Sequence, residues 1–315
     1  MAKNMIQFQK GLSLTNFLSK YGTEEKCYQA LYRFRWPNGF ACPRCGHNGH
    51  CKIKAREVFQ CNKCRFQTSL TSRTIFANTK LPLTVWFLAI YFITQSKDGI
   101  SSLNLARTLG VSANTALKIK HKLQQTMKER DDSQSLTNFI LLDDAYWGGK
   151  KQDGARGRGA TGKTPFIASV CLTRNGRPDR MRMSCVHSFL KDEIVAWSKK
   201  HLSPFSVVIS DGFKSLSGVK EADCVHEAVK THTDKGYDAN AIFKWVNVMI
   251  GNVKNALHGT YHHVSAMHLP RYLAEFCYRF NRRYELHQMV DRLAYVAMRT
   301  PPMPQRLLKL AETHW

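Results

Sequence analysis

The sequence predicts a multidomain α+β chain: a helical N-terminus, a small cysteine-built module, a helix pair, and a larger α/β half. Three observations carry this. Two Cys-x2-Cys pairs, Cys42/Cys45 and Cys61/Cys64, are separated by 15 residues. From Ile100 to Met127, apolar residues recur at helical spacing on both sides of Gly110. Beyond residue 138, two apolar runs of strand length, Phe139–Leu142 and Phe205–Ser210, each lead directly into an aspartate.

Lys and Arg total 47 against 23 acidic residues, a net charge of +24 over 315 residues. The excess is spread along the chain, so the expected partner is a polyanion. Nucleic acid, with double-stranded DNA the partner that the whole chain points to, is the first candidate and an anionic membrane surface the alternative. No stretch reaches the about 18 apolar residues of a membrane span; the longest, Leu81–Ile93, is too short. Met1–Gly11 is polar and lacks a secretory apolar region. The expectation is a cytoplasmic, nucleoid-associated protein without membrane partners. In that reducing compartment its 10 cysteines serve a metal rather than disulfides.

Residues 1–35 form the expected helical segment, one helix over Leu12–Phe34 with Leu14, Phe17, Leu18, Tyr21, Cys27, Leu31 and Phe34 on its apolar side. Trp36-Pro37-Asn38-Gly39 ends it and opens a module over 36–75. Its C-x2-C-x15-C-x2-C spacing points four thiolates at one ion from two tight turns, the pattern of a structural zinc ribbon. Cys51, His47 and His50 lie between the pairs as alternative ligands. Four protein ligands leave no open position, so this zinc is not catalytic. Arg44, Lys52, Lys54, Arg56, Lys63 and Arg65 make the module basic, suited to a DNA backbone or to solvent.

Residues 76–130 read as a helix-turn-helix region. Leu81–Ile93 is apolar nearly all round, a buried helix. Leu103, Ala106 and Leu109 mark a short helix, Gly110 the turn and Ser112 the next N-cap. The second helix buries Ala116, Ile119 and Leu123 and exposes Asn114, Thr115, Lys118 and His121, the DNA-binding set of a recognition helix. A plain helical hairpin has the same periodicity. Asp131–Ser135 reads as a linker.

In the α/β half, the strand Phe139–Leu142 ends in Asp143 and Asp144, followed by Gly148-Gly149. An acid at a strand tip either solvates the strand end or holds a metal rigidly beside an open loop. Gly157–Thr164 matches a P-loop pattern in the wrong context: basic and polar residues precede it and a strand, Pro165–Leu172, follows. It reads as a basic hairpin loop. Phe166–Leu172 and Arg180–Val186 flank the turn Asn175–Pro178 and form, with the Asp143 strand, three antiparallel strands. A helix is expected at Lys191–His201. Phe205–Ser210 then delivers Asp211, and two such acids on neighbouring strands can hold a pair of Mg(II) ions. A helix over Phe243–Leu257 aligns Asn247, Gly251 and Lys254 on one face. From spacing alone that face is an ordinary polar stripe.

Together these motifs resemble bacterial insertion-sequence transposases with an N-terminal zinc ribbon and a ribonuclease-H-like DDE domain. The resemblance runs through Arg35–Gly46, Leu142–Lys150, Gly162–Pro165, Ser210–Lys214, Trp245–Lys254, Gly259–Val264 and Tyr278–Arg283. It implies a ribonuclease-H-like α/β domain with a mixed sheet over 136–300 and a C-terminal tail over 301–315. It implies Asp143 as first catalytic carboxylate with Asp144 its companion, Asp211 as second, and Asn247 with Lys254 in the branch that carries Asp-Asp-Asn-Lys. Asn252 is the alternative to Asn247. In that case Asp143, Asp211 and Asn247 hold Mg(II) or Mn(II), Lys254 positions a phosphate or end base, and Tyr261, His262 and His263 line DNA or pack. The implied reaction is nicking at the insertion-sequence end and transfer of the 3′-hydroxyl into target DNA, by a homo-oligomer on DNA. A segment Arg271–Arg283 is expected to cap the sheet with Tyr272, Leu273, Phe276 and Phe280, its basic residues facing DNA or solvent. The competing reading is an inactive zinc-ribbon and helix-turn-helix DNA-binding regulator, kept open by the uncharged Asn247.

Overall fold

The structure, a computed structural model, describes residues 10–148, 162–229 and 239–313. The P-loop-like loop lies outside the described residues except for Gly162, Lys163 and Thr164. The chain divides into two compact units: Met1–Thr126 with Arg282–Leu310, and Met127–Asn281 with Ala311–Trp315.

The first unit opens with two helices where the sequence predicts one, α1 (Leu14–Tyr21) and α2 (Glu24–Arg35). The break follows from Thr23, whose hydroxyl caps α2 by accepting the Lys26 N–H. Gly22 fits there because a Cβ would stand 2.4 Å from the Leu18 carbonyl oxygen. Strands β1 (His50–Ile53), β2 (Val58–Cys61) and β3 (Gln67–Ser69) form an antiparallel sheet in that order. Trp36, Phe40 and Phe59 pack beneath it, and the Arg35 guanidinium donates to the Ser69 and Leu70 carbonyls. Helix α3 (Leu83–Gln95) is buried as expected. Helices α4 (Ser102–Leu109) and α5 (Ala113–Asp132) meet at Gly110, whose φ of 65° lies in the left-handed region. Ser101 and Ser112 cap them by accepting the Asn104 and Thr115 N–H groups.

Helix α5 overruns the expected linker and ends at Asp132. From Ile119 to Met127 it is buried on most sides, taking in Lys120, His121, Gln124, Gln125 and Thr126. His121, expected on the exposed face, is buried.

The second unit holds a five-stranded mixed sheet: β4 (Phe139–Trp147), β5 (Thr164–Leu172), β6 (Pro178–Cys185), β7 (Val207–Asp211) and β8 (Val225–Val229), in the order β6-β5-β4-β7-β8. β5 runs antiparallel to both β4 and β6, its neighbours; β4, β7 and β8 run parallel. Strand β4 does not end at Leu142. Its second half stays paired to β5, from Asp143 opposite Ala168 to Trp147 opposite Thr164, which holds two polar residues in strand conformation.

Helix α6 (Lys191–His201) and the 3₁₀ segment Lys214–Ala222 cover one sheet face, with Ile194, Trp197, Leu216 and Val219 over Ile140, Leu142, Ile167 and Val208. After the short α7 (Ala239–Ile242), helices α8 (Lys244–Tyr261) and α9 (Leu269–Asn281) cover the other, with Val246, Ile250, Val253 and Leu273 over Leu141, Ala145, Phe166 and Met183. This is the ribonuclease-H-like arrangement, helices on both faces of a mixed sheet. In α9 two basic residues are buried, contrary to expectation. Arg279 is neutralised by Glu275 at 2.5 Å, and Arg271 by Glu312 of α11 (Gln305–Thr313) at 2.7 Å.

Between α9 and α11, α10 (Met289–Ala297) belongs to the first unit, where Asp291 accepts from Tyr21 and Arg299 donates to the Phe34 carbonyl at 2.7 Å. Among the described residues no helix is long and apolar enough to cross a membrane.

Candidate active site and metal centre

Two tight turns bring the ribbon cysteines together. The Gly46 N–H bonds the Cys42 carbonyl and the Arg65 N–H the Cys61 carbonyl, with Gly46 and Arg65 both at positive φ. Sulfur atoms of Cys42 and Cys64, and of Cys45 and Cys61, are 3.6 Å apart, and all four lie within 4.8 Å of one another. Thiolates about 2.3 Å from one tetrahedral zinc stand about 3.8 Å apart, so the cluster fits a structural zinc. Burial of the Cys42 sulfur opposes ionisation. The Arg44 and Cys45 N–H groups and the neighbouring thiols outweigh it and bring Cys42 down to about 6. The Cys64 and Lys63 N–H groups likewise lower Cys61. The alternatives fall outside the cluster: the His50 ring packs on Phe40 and Phe59, and Cys51 is exposed.

The two aspartates are positioned by sheet register. The last rung between β4 and β7 is Leu142 opposite Ser210, and the next residue on each strand is an aspartate, Asp143 and Asp211. Side chains alternate along a strand. Leu141 and Ala145 belong to the core under α8, and Ile209 packs against it, so Asp143 and Asp211 face that same side. Asp144 faces the α6 side, with Leu142 and Tyr146. All three aspartates are partly buried. One Asp143 oxygen accepts the Asp144 N–H at 2.8 Å, and one Asp211 oxygen accepts the Phe213 N–H at 3.1 Å.

Helix α8 crosses above them. Near its start, the Trp245 indole N–H donates to the Gly176 carbonyl in the β5–β6 turn; near its end, the His258 ring lies 4.6 Å from that of Trp147. Lys254 stands between. Burial pushes the Lys254 ammonium down, Asp143 pulls it back up, and Lys163 adds to the downward push. The charges of Lys254 and Asp143 thus act on each other. Asn247 is exposed seven residues earlier, about 10.5 Å back along the helix axis. Asn252 is exposed too. In the sequence Lys163 carries no signal of its own, because it lies inside the P-loop-like Gly157–Thr164 pattern. It packs at Gly148, where an added Cβ would meet its side chain at 3.3 Å.

On the helix pair, Asn114 and Lys118 are exposed and Thr115 is half-buried, its hydroxyl 2.9 Å from that of Ser112. His121 is 6% exposed and leaves this surface.

Comparison with known proteins agrees with the order of these parts. Residues 22–67 match the transposase zinc-ribbon domain, and residues 135–281 the ISXO2-like transposase domain. An uncharacterized protein in transposable element ISH50 of Halobacterium salinarum is 22% identical over 238 residues, covering 70% of this chain and 78% of that protein. The solved Mos1 transposase paired-end complex with left transposon end aligns over 66% of this chain and 78% of that chain. Its sequence identity is 11% and its TM-score 0.22, too low for the likeness to bear on the fold. With both domains matched in sequence and the four-cysteine cluster and mixed sheet in place, the chain belongs to the insertion-sequence transposases that carry a zinc ribbon.

Proposed function

We propose that this chain is a DDE-type transposase in which Asp143, Asp211 and Asn247 hold Mg(II) or Mn(II) and Lys254 holds a phosphate or end base of the DNA. It nicks DNA at the element end and joins the freed 3′-hydroxyl to target DNA. The observation that carries this is the exit of Asp143 and Asp211 onto one sheet face, with the Lys254 charge acting on Asp143. Carboxylate and amide oxygens are the hard donors these cations take. When bound, the cations stabilise charge on the attacking and leaving oxygens of an in-line displacement.

In the first step a water oxygen bonds to phosphorus and the bond from phosphorus to the 3′-oxygen breaks. In the second, that 3′-oxygen bonds to a target phosphorus and a target 3′-oxygen leaves. Asp143 and Asp211 would hold the ions beside the scissile phosphate. Lys254, half-buried and within reach of the Asp143 charge, presents its ammonium to a neighbouring phosphate. Asn114, Thr115 and Lys118 contact the DNA duplex, and the basic ribbon its backbone. A homo-oligomer on DNA brings two element ends together.

The test is strand transfer from a supercoiled plasmid carrying the reading frame with its own flanking DNA, in Mg(II) or Mn(II). Active wild type and inactive Asp211→Ala, with DNA binding retained, support the enzyme. One observation favours a second reading, a DNA-binding regulator: Asn247 is exposed and uncharged where a third carboxylate would bind cations more tightly. Binding without nicking under either ion supports it.

A further inference from the structure

Behind Asp211, on the sheet face away from α8, lies a short polar chain that no step above uses. The hydroxyl of Ser210, fully buried, donates to the backbone carbonyl of Asp211 at 2.9 Å and meets Nε2 of His226 at 2.8 Å. A hydroxyl has one hydrogen. With that hydrogen given to the carbonyl, the oxygen accepts from His226, so Nε2 is the protonated nitrogen. His226 lies opposite Val208 on β8, and Ser210 opposite Ala228, so the contact runs diagonally across the two strands. Pairing of β7 with β4 stops at Ser210, one residue short of Asp211. From there Asp211 is held by β8, by the Ser210–His226 chain, and by the Phe213 N–H on its carboxylate.

We propose that His226 is a positioning residue for Asp211. Through Ser210 it fixes the Asp211 peptide, and so the direction from which that carboxylate meets a cation shared with Asp143. This rests on the reading of both aspartates as cation ligands. Groups that orient a ligand from behind tune affinity without touching the ion.

The test uses the zinc-loaded full chain, with Mn(II) as probe, its binding followed by electron paramagnetic resonance and folding by thermal melting. Gln places its side-chain nitrogen as far from the backbone as Nε2, and Asn falls short. His226→Asn is expected to weaken Mn(II) binding about tenfold, and His226→Gln to stay within about twofold of wild type, at equal melting temperatures. Ser210→Ala should reproduce the loss, and adding His226→Asn to it should cost nothing more; this arm stands if His226→Asn does not fold. Wild-type affinity in His226→Asn or Ser210→Ala, or equal losses in the Asn and Gln variants, overturns the proposal. Asp211→Ala separates the two levels. If it loses Mn(II) while the His226 variants do not, only the positioning role falls; if it binds as wild type, the cation reading falls with it.

Discussion

Leu142 and Ser210 form the last rung between β4 and β7, and the residue after each is an aspartate. The strands part just there: β4 continues on β5, and β7 on β8. Two carboxylates thus leave the sheet on one face, and the Lys254 charge acts on Asp143.

Lys254→Ala is expected to lower the strand-transfer rate about 100-fold, in the range for removing one preorganised charge at a reacting group. DNA affinity in a filter-binding assay should fall by no more than the loss of a single phosphate contact. A rate within threefold of wild type would remove Lys254 from the site.

Zinc should be stoichiometric with the chain by elemental analysis. Cys45→Ser is expected to lose it and unfold the ribbon, since metal binding supplies on the order of 10 kcal/mol to such modules. Amide exchange over residues 42–67 then rises to the unfolded rate, while β4–β8 keep their protection. Retained zinc with protected ribbon amides would mean that the four sulfurs are not its ligands.

Lys118 and His121 sit one helical turn apart on α5 and are predicted to behave differently. Lys118→Ala should weaken duplex binding and reduce the slope of log affinity against log salt by about 1, the signature of one lost phosphate contact. His121→Ala should leave that slope unchanged and lower the melting temperature, because His121 is buried.

His201 links the second unit to pH. Burial, and then the Arg182 charge, push His201 down to about 3; Asp132 opposes, and Lys200 and Lys128 add to the push. The unfolded chain takes up a proton near 6.5 and the folded chain does not. The stability tied to neutral His201 is therefore complete above pH 6.5 and is lost as pH falls toward 3, by roughly 3–5 kcal/mol in all. In urea melts between those values, His201→Phe should show a shallower fall than wild type. Parallel slopes would contradict the buried neutral ring.

Much of this was legible because its signals are local. The ribbon spacing, the glycine between α4 and α5, the apolar α3, the bounds of α6 and both aspartates can be read from a few neighbouring residues. What the sequence hid depends on distant partners. The second half of β4 reads as a polar loop until β5 is seen beside it. Arg271 reads as a surface cation because Glu312, which neutralises it, lies 41 residues on. His226 gives no signal in the sequence because β8 is a short, five-residue edge strand, Val-His-Glu-Ala-Val, largely exposed and without a buried apolar face. The grouping of Arg282–Leu310 with the N-terminal helices leaves no trace in local periodicity.

The central claim, that Asp143 and Asp211 share divalent cation, is tested most directly by isothermal titration of Mn(II) into zinc-loaded wild type, Asp143→Asn and Asp211→Asn in the presence of DNA. The account predicts that wild type binds the ion and that either single substitution weakens binding at least about tenfold, with little further loss in the double variant. Binding as tight as wild type in both single variants would contradict it.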